Sequence, residues 1–211
     1  MSNEPKLTVH VGDTHASPEE VGYVPERLDR LDEHFFDLIE QEKLQCASYL
    51  LARHGKVFAC KSMGRLRYDG DGDLLPDSIR RMASITKAFT AVAVMKLVED
   101  GRLYLRQPVS DIIEEFDTDI HNSITIRQLL THTAGLPADP GYFTEPYPMG
   151  WWHVAEGAKA MEQDISWIKA ILAGPLQAEP GEEWMYSSAG FCVLGEIVSR
   201  VLGVPAEDYI L

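Results

Sequence analysis

The segment Thr86 to Asp100 limits what this chain can become more than any other. It holds Ala88, Phe89, Ala91, Val92, Ala93, Val94, Met95, Leu97 and Val98 with no turn residue until Gly101. Such a run reads as a helix that is apolar nearly all round, and a helix of that kind belongs at the centre of a larger fold. Gly101 is a natural stop. With 211 residues the chain is long enough to bury a core around it.

The other segments carry their own local signals. Residues 1–24 are polar, carry little pattern and read as an N-terminal arm. Pro25 to Lys43 is expected to be a helix, with Leu28, Leu31, Phe35, Leu38 and Ile39 at helical spacing. Cys46–Arg53 and Lys56–Arg67 read as two strands joined at the tight-turn pair His54-Gly55. Residues 69–77 are a loop by composition. Thr125 and Gln128 form a capping box for a short helix to Thr131. Residues 133–163, rich in Gly, Pro and aromatics, form a long connection. Asp164 is placed as the cap of a helix to about Leu172, and Ser188 to Leu202 is the last long helix, ended by Gly203. This gives an N-terminal arm (1–24), a helix and hairpin (25–80) and a mostly helical part (81–211). Two strands make a poor sheet by themselves, which suggests that the chain is part of something larger.

Charge and composition exclude several functions. The net charge of −14 argues against nucleic-acid binding and against an anionic membrane surface. No apolar run reaches transmembrane length, and the first residues lack a signal-peptide pattern, so a cytoplasmic location is expected. Cys46, Cys60 and Cys192 form no Cys-x-x-Cys pair and read as reduced, buried thiols. No histidine pair has metal-ligand spacing on a plausible helix, and no phosphate-binding or dinucleotide-binding glycine motif occurs.

What remains is Ser84-Ile85-Thr86-Lys87. With 12 Ser and 8 Lys, chance alone supplies about half a match to Ser-x-x-Lys. A second copy, Ser166-Trp167-Ile168-Lys169, is read as lying in mid-helix on a solvated face. Ser84 differs because it opens the apolar helix, where free N–H groups and the helix dipole favour negative charge. Residues three apart share a helix face, so Lys87 can reach the Ser84 hydroxyl. A partly desolvated lysine there is expected to give up its proton more readily and to suit a general base. The plain alternative is a serine cap with a surface lysine. Tyr186-Ser187-Ser188, just before the last helix, reads equally well as an aromatic at a turn with Ser188 as the cap. His132 is read as a structural hydrogen-bonder rather than a partner of a catalytic serine. Tyr142, Phe143, Tyr147, Trp151 and Trp152 are either the rim of a pocket or packing within the helical part.

Taken in order, the motifs resemble a known family. Met82-Ala83-Ser84-Ile85-Thr86-Lys87-Ala88-Phe89-Thr90-Ala91 is similar to the nucleophile motif of serine β-lactamases and penicillin-binding proteins. The closer likeness is to the branch of class C β-lactamases, D,D-peptidases and family VIII carboxylesterases. Val98-Glu99-Asp100-Gly101-Arg102-Leu103 leading to Pro108-Val109-Ser110 agrees with it, as does Ile126 to Leu136 (IRQLLTHTAGL). The family's Tyr-x-Asn motif falls at Tyr186-Ser187-Ser188.

The resemblance implies an α+β, β-lactamase/transpeptidase-like fold, an antiparallel sheet flanked by helices plus a mostly helical section. It implies Ser84 as the nucleophile of an acyl-enzyme, with its backbone N–H as half of an oxyanion hole. Lys87 becomes the general base and Tyr186 a general acid or base. No metal or organic cofactor is implied. Ser188, in place of the family's Asn, becomes a substrate-binding group of shorter reach, which tilts the expectation from peptides and β-lactams towards esters. The family's later Lys-Thr-Gly or His/Trp-x-Gly strand, which lines the pocket and gives the second oxyanion N–H, has no match before Leu211. The site is therefore expected to be incomplete in these 211 residues, which are either a fragment or one part of a cut chain, with the rest supplied as a separate chain or by a self-associated copy. The expected activity is that of a serine hydrolase on a small ester or amide. The alternatives are a β-lactamase or D,D-carboxypeptidase, an acyltransferase, and a binding or sensor module that acylates without turnover.

Overall fold

A computed structural model describes residues 7–70, 72–137, 159 and 166–210. The chain divides into two compact units, Met1–Arg81 and Met82–Leu211.

The first unit is a three-stranded antiparallel sheet with one helix. Strands β2 (Cys46–Arg53) and β3 (Lys56–Gly64) form the expected hairpin. His54 and Gly55 both take positive φ, 53° and 75°, the backbone that a two-residue type I′ turn requires. Part of the expected N-terminal arm joins the sheet. Val9–Val11 form a short strand, β1, paired with Val11 opposite Lys61 and Val9 opposite Met63, so the sheet order is β1-β3-β2. Three residues carry too little pattern to announce a strand, and β1 exists because the edge of β3 pairs with it. Val21 also enters the core, beside Leu28, Phe58 and Ala59.

Helix α1 (Glu26–Glu40) is tied to the sheet by Asp32, which is buried. Its carboxylate accepts from Tyr49 Oη at 2.7 Å and from Lys61 Nζ at 2.6 Å. A buried carboxylate is tolerated only with such partners. Burial first, and then the bond to Asp32, hold the Tyr49 phenol well above its ordinary value of 10.

The second unit is helical. Its main elements are α2 (Thr86–Glu99), α3 (Ile126–Leu130), α4 (Trp167–Ile171), α5 (Ser188–Leu202) and α6 (Ala206–Ile210). The capping box forms as expected, with Thr125 Oγ1 accepting from the Gln128 N–H and Gln128 Oε1 accepting from the Thr125 N–H. Helix α5 ends at Gly203 with φ 74°, and the Arg102 guanidinium donates to the Val201 carbonyl in its last turn. The core joins Val94 and Leu97 of α2 to Val193, Leu194 and Ile197 of α5, with Leu129 of α3 and Phe116 completing it.

Helix α2 corrects one expectation. It is not buried all round. Ala93, Val94 and Leu97 are buried, whereas Ile85 just before the helix, Phe89, Val92 and Met95 are exposed, Val92 by 68%. A helix without a polar side gives no hint of which stripe its neighbours will cover, and here α5 and α6 pack on one side of it. Cys192 is exposed rather than buried, while Cys46 is buried and Cys60 half-buried. No helix among the described residues is long and apolar enough to cross a membrane. The aromatics expected in the long connection (Tyr142, Phe143, Tyr147, Trp151, Trp152), and the proposed cap Asp164, lie outside the described residues.

Gly135 and Gly203 both take φ near +73° but differ in surroundings. A Cβ on Gly135 would collide with the Ala178 carbonyl oxygen, whereas Gly203 has open space. Gly203→Ala is expected to cost about 1 kcal/mol, the backbone strain alone. Gly135→Ala is expected to cost about 3 kcal/mol or more, because backbone must move. Denaturant titration of the two variants measures the difference. Tyr49 gives a second expectation. A group whose pKa is raised by folding contributes stability that is complete below its unfolded value and is lost as pH climbs towards the folded one. The melting temperature is expected to fall above about pH 10, and less steeply in Tyr49→Phe, as thermal melts across that range would show.

Candidate active site

The chain enters α2 through a single 3-10 turn, Ala83–Ile85, that carries Ser84. Ala83 takes φ 45°, a left-handed backbone that a residue with a Cβ adopts at a cost of roughly 1–2 kcal/mol. Nothing in the sequence signals this, since Gly and Asn are the residues usually found there. The turn leaves Ser84 exposed and places Lys87 in the first turn of α2, half-buried.

Lys87 is the centre of the site. Its Nζ donates to Ser84 Oγ at 3.1 Å and to Ser188 Oγ at 2.9 Å. The second bond spans 101 residues of sequence. Nζ also lies over the Tyr186 ring, 4.7 Å from its centroid, and 5.8 Å from that of Phe191. Ser84, Tyr186 and Ser188 are thus gathered around the Lys87 amino group. The first turns of α2 and α5 meet at this contact, which brings the partial positive charge of two helix N-termini together.

Ser188 is not the helix cap expected from the sequence. The cap position belongs to Ser187, whose side chain makes no capping bond, and Ser188 is the first helical residue with its hydroxyl engaged by Lys87. Phe191 was not singled out from the sequence. Its spacing of three from Ser188 puts it on the same helix face, and that signal was available.

The second Ser-x-x-Lys copy has a different fate. Ser166 is not in mid-helix but is the cap of α4, where its Oγ accepts from the Lys169 backbone N–H at 3.3 Å. The pattern there serves a helix end, and the Lys169 ammonium takes no part in it.

Backbone pairing holds the Tyr186 segment in place. The N–H groups of Gln177, Gly181 and Met185 donate to the carbonyls of Gly135, Thr133 and His132 at 2.8, 2.7 and 2.8 Å. The run at 131–136 is therefore a strut for the approach to α5. Among the described residues no three His, Cys, Asp or Glu side chains group as a metal site.

A family model described as beta-lactamase matches residues 31–211. The chain belongs to the beta-lactamase family. Its relatives include both penicillin-binding-protein-like proteins and esterases. It is 32% identical over 192 residues to Protein flp of Staphylococcus aureus (strain N315), covering 88% of this chain and 35% of that one. It is 31% identical over 184 residues to Esterase EstB of Burkholderia gladioli, covering 83% and 46%. Among solved structures, EstCE1, described as a hydrolase with promiscuous acyltransferase activity, superposes with a TM-score of 0.71 at 27% identity, over 87% of this chain and 49% of that one. The octameric penicillin-binding protein homologue from Pyrococcus abyssi gives 0.66 at 27% identity, over 87% and 41%. The beta-lactamase/transpeptidase-like fold expected from the sequence is thereby shown. This member of the beta-lactamase family spans less than half the length of these relatives.

Ser187 Oγ is buried and has no hydrogen-bond partner among the described residues. Deleting a hydroxyl in that state removes a desolvation cost of about 1–3 kcal/mol and no bond. Ser187→Ala is expected to leave the melting temperature unchanged or raise it, as differential scanning calorimetry would record.

Proposed function

We propose that this protein is a serine hydrolase that forms an acyl-enzyme on Ser84 and cleaves a small ester. The observation that carries the reading is Lys87 Nζ within hydrogen-bond reach of both Ser84 Oγ and Ser188 Oγ. In this mechanism Ser84 Oγ attacks the acyl carbon and its proton passes to Lys87 Nζ. The oxyanion forms beside the first turns of α2 and α5, with the Ser84 N–H as one donor. Tyr186 delivers its proton to the leaving alkoxide and takes the Lys87 proton in its place, so both groups return to their starting forms. Water then attacks the acyl carbon and gives a proton to Lys87 Nζ, which passes it to Ser84 Oγ as the acyl–oxygen bond breaks and the acid is released. No cofactor enters these steps.

The ester preference rests on Ser188. A hydroxyl at this position has one donor and a short reach, whereas an amide side chain would offer a separate donor and acceptor to a substrate amide. The likeness to Esterase EstB supports it. The likeness to a penicillin-binding protein homologue favours a second reading, a β-lactamase or D,D-carboxypeptidase acting through the same Ser84 adduct. The remaining segments of a complete pocket are proposed to come from polypeptide corresponding to the part of the relatives that this chain does not match.

A fluorophosphonate probe followed by intact mass and peptide mapping tests the nucleophile. A single adduct on Ser84 is expected, and none in Ser84→Ala. Lys87→Ala and Tyr186→Phe are each expected to slow labelling by about 10²–10⁴-fold, and Ser166→Ala to label at the wild-type rate. An adduct on Ser166, or labelling undiminished in Ser84→Ala, would sink the mechanism. Release of p-nitrophenol from a short-chain ester, faster than opening of nitrocefin, is the expected substrate order.

A further inference from the structure

We propose that His132 is a positioning residue that locks the Tyr186–Ser188 segment against Lys87 by accepting the Ser187 backbone N–H. The functional consequence rests on the acyl-enzyme reading above.

Helix α5 begins without a side-chain cap of its own, because Ser187 makes none. The Ser187 N–H instead donates to His132 Nδ1 at 3.2 Å. Two residues earlier, the Met185 N–H donates to the His132 carbonyl at 2.8 Å. One residue therefore takes the backbone donors on both sides of Tyr186, through its ring on one side and its main chain on the other. The backbone of His132 is turned for this task, with φ 57° two residues past the end of α3. Its ring centroid lies 4.6 Å from that of Tyr186 and 5.1 Å from that of Phe191, the two rings that face Lys87 Nζ. Ser188, the next residue after the held N–H, is the one whose hydroxyl meets Lys87.

The bond fixes the form of the imidazole. Nδ1 accepts only with its lone pair free, so the ring proton sits on Nε2. A ring that merely filled space at this position would have no need of that lone pair, and this separates positioning from packing.

Two substitutions split the roles. His132→Phe keeps an aromatic ring and removes the acceptor. His132→Asn removes the ring but places Oδ1 where Nδ1 stood, and Asn tolerates the left-handed backbone. Two readouts are taken on the full chain, site-resolved hydrogen exchange at the Ser187 amide and the rate of fluorophosphonate labelling at Ser84. In His132→Phe the Ser187 amide is expected to exchange about tenfold faster or more, the factor expected from loss of one ordinary hydrogen bond. Labelling is expected to slow by a similar factor. In His132→Asn both rates are expected to stay within about threefold of wild type, since an acceptor is restored. If His132→Phe does not fold, His132→Ala takes its place, with the same loss expected. Wild-type exchange in the Phe or Ala variant overturns the proposal, as does equal loss in the Asn variant, which would make the ring's packing decisive. A wild-type chain with no Ser84 adduct defeats the hydrolase reading alone, since exchange at Ser187 still decides the role of His132.

Discussion

The packing of α2 against α5 is the constraint on which the site depends. Val94 and Leu97 share one core with Val193, Leu194 and Ile197. Each such buried side chain contributes roughly 1.5–3 kcal/mol. A hydrogen bond between a lysine and a serine contributes about 1 kcal/mol net, somewhat more when charged. The core therefore sets where the two helices lie, and Lys87 meets Ser188 as a result. Reversing that order would ask a single polar contact to overcome several apolar ones.

Helix packing brings the first turns of α2 and α5 together but does not orient the residues that precede α5. That task falls to the strut at 131–136, whose carbonyls take three N–H groups from the segment 177–185. Two left-handed residues, His132 and Gly135, bend the strut to meet it. Gly135 is required there because the Ala178 carbonyl occupies the space a Cβ would need. His132 has a Cβ in the same backbone region and accepts the strain, which structures tend to hold near functional sites. Ala83, just before Ser84, is a second case.

Local signals were read well where local chemistry decides the outcome. His54-Gly55 specified its turn because few residue pairs take two positive φ angles. Thr125 and Gln128 specified a helix start because their side chains satisfy each other's backbone, and Gly203 specified a helix end. Signals were misread where a neighbour decides. Val9–Val11 became a strand only by pairing with β3. Ser166 became a cap because α4 starts at Trp167, while the same four-residue pattern at Ser84 lies in a 3-10 turn before α2. The apolar surface of α2 gave no information on which stripe its partners cover.

By itself the sequence determined the hairpin, the principal helices, the family resemblance and the candidate set Ser84, Lys87, Tyr186 and Ser188. The hairpin and helices follow from periodicity and capping, which act over a few residues, and the candidate set follows from the ordered motifs that carry the family resemblance. Only the tertiary structure decided that Lys87 touches Ser188 across 101 residues, that Ser187 and not Ser188 stands at the cap, and that His132 takes the Ser187 N–H. Those outcomes arise from the burial of α2 against α5 and from backbone pairing between distant segments, and neither leaves a mark on neighbouring residues.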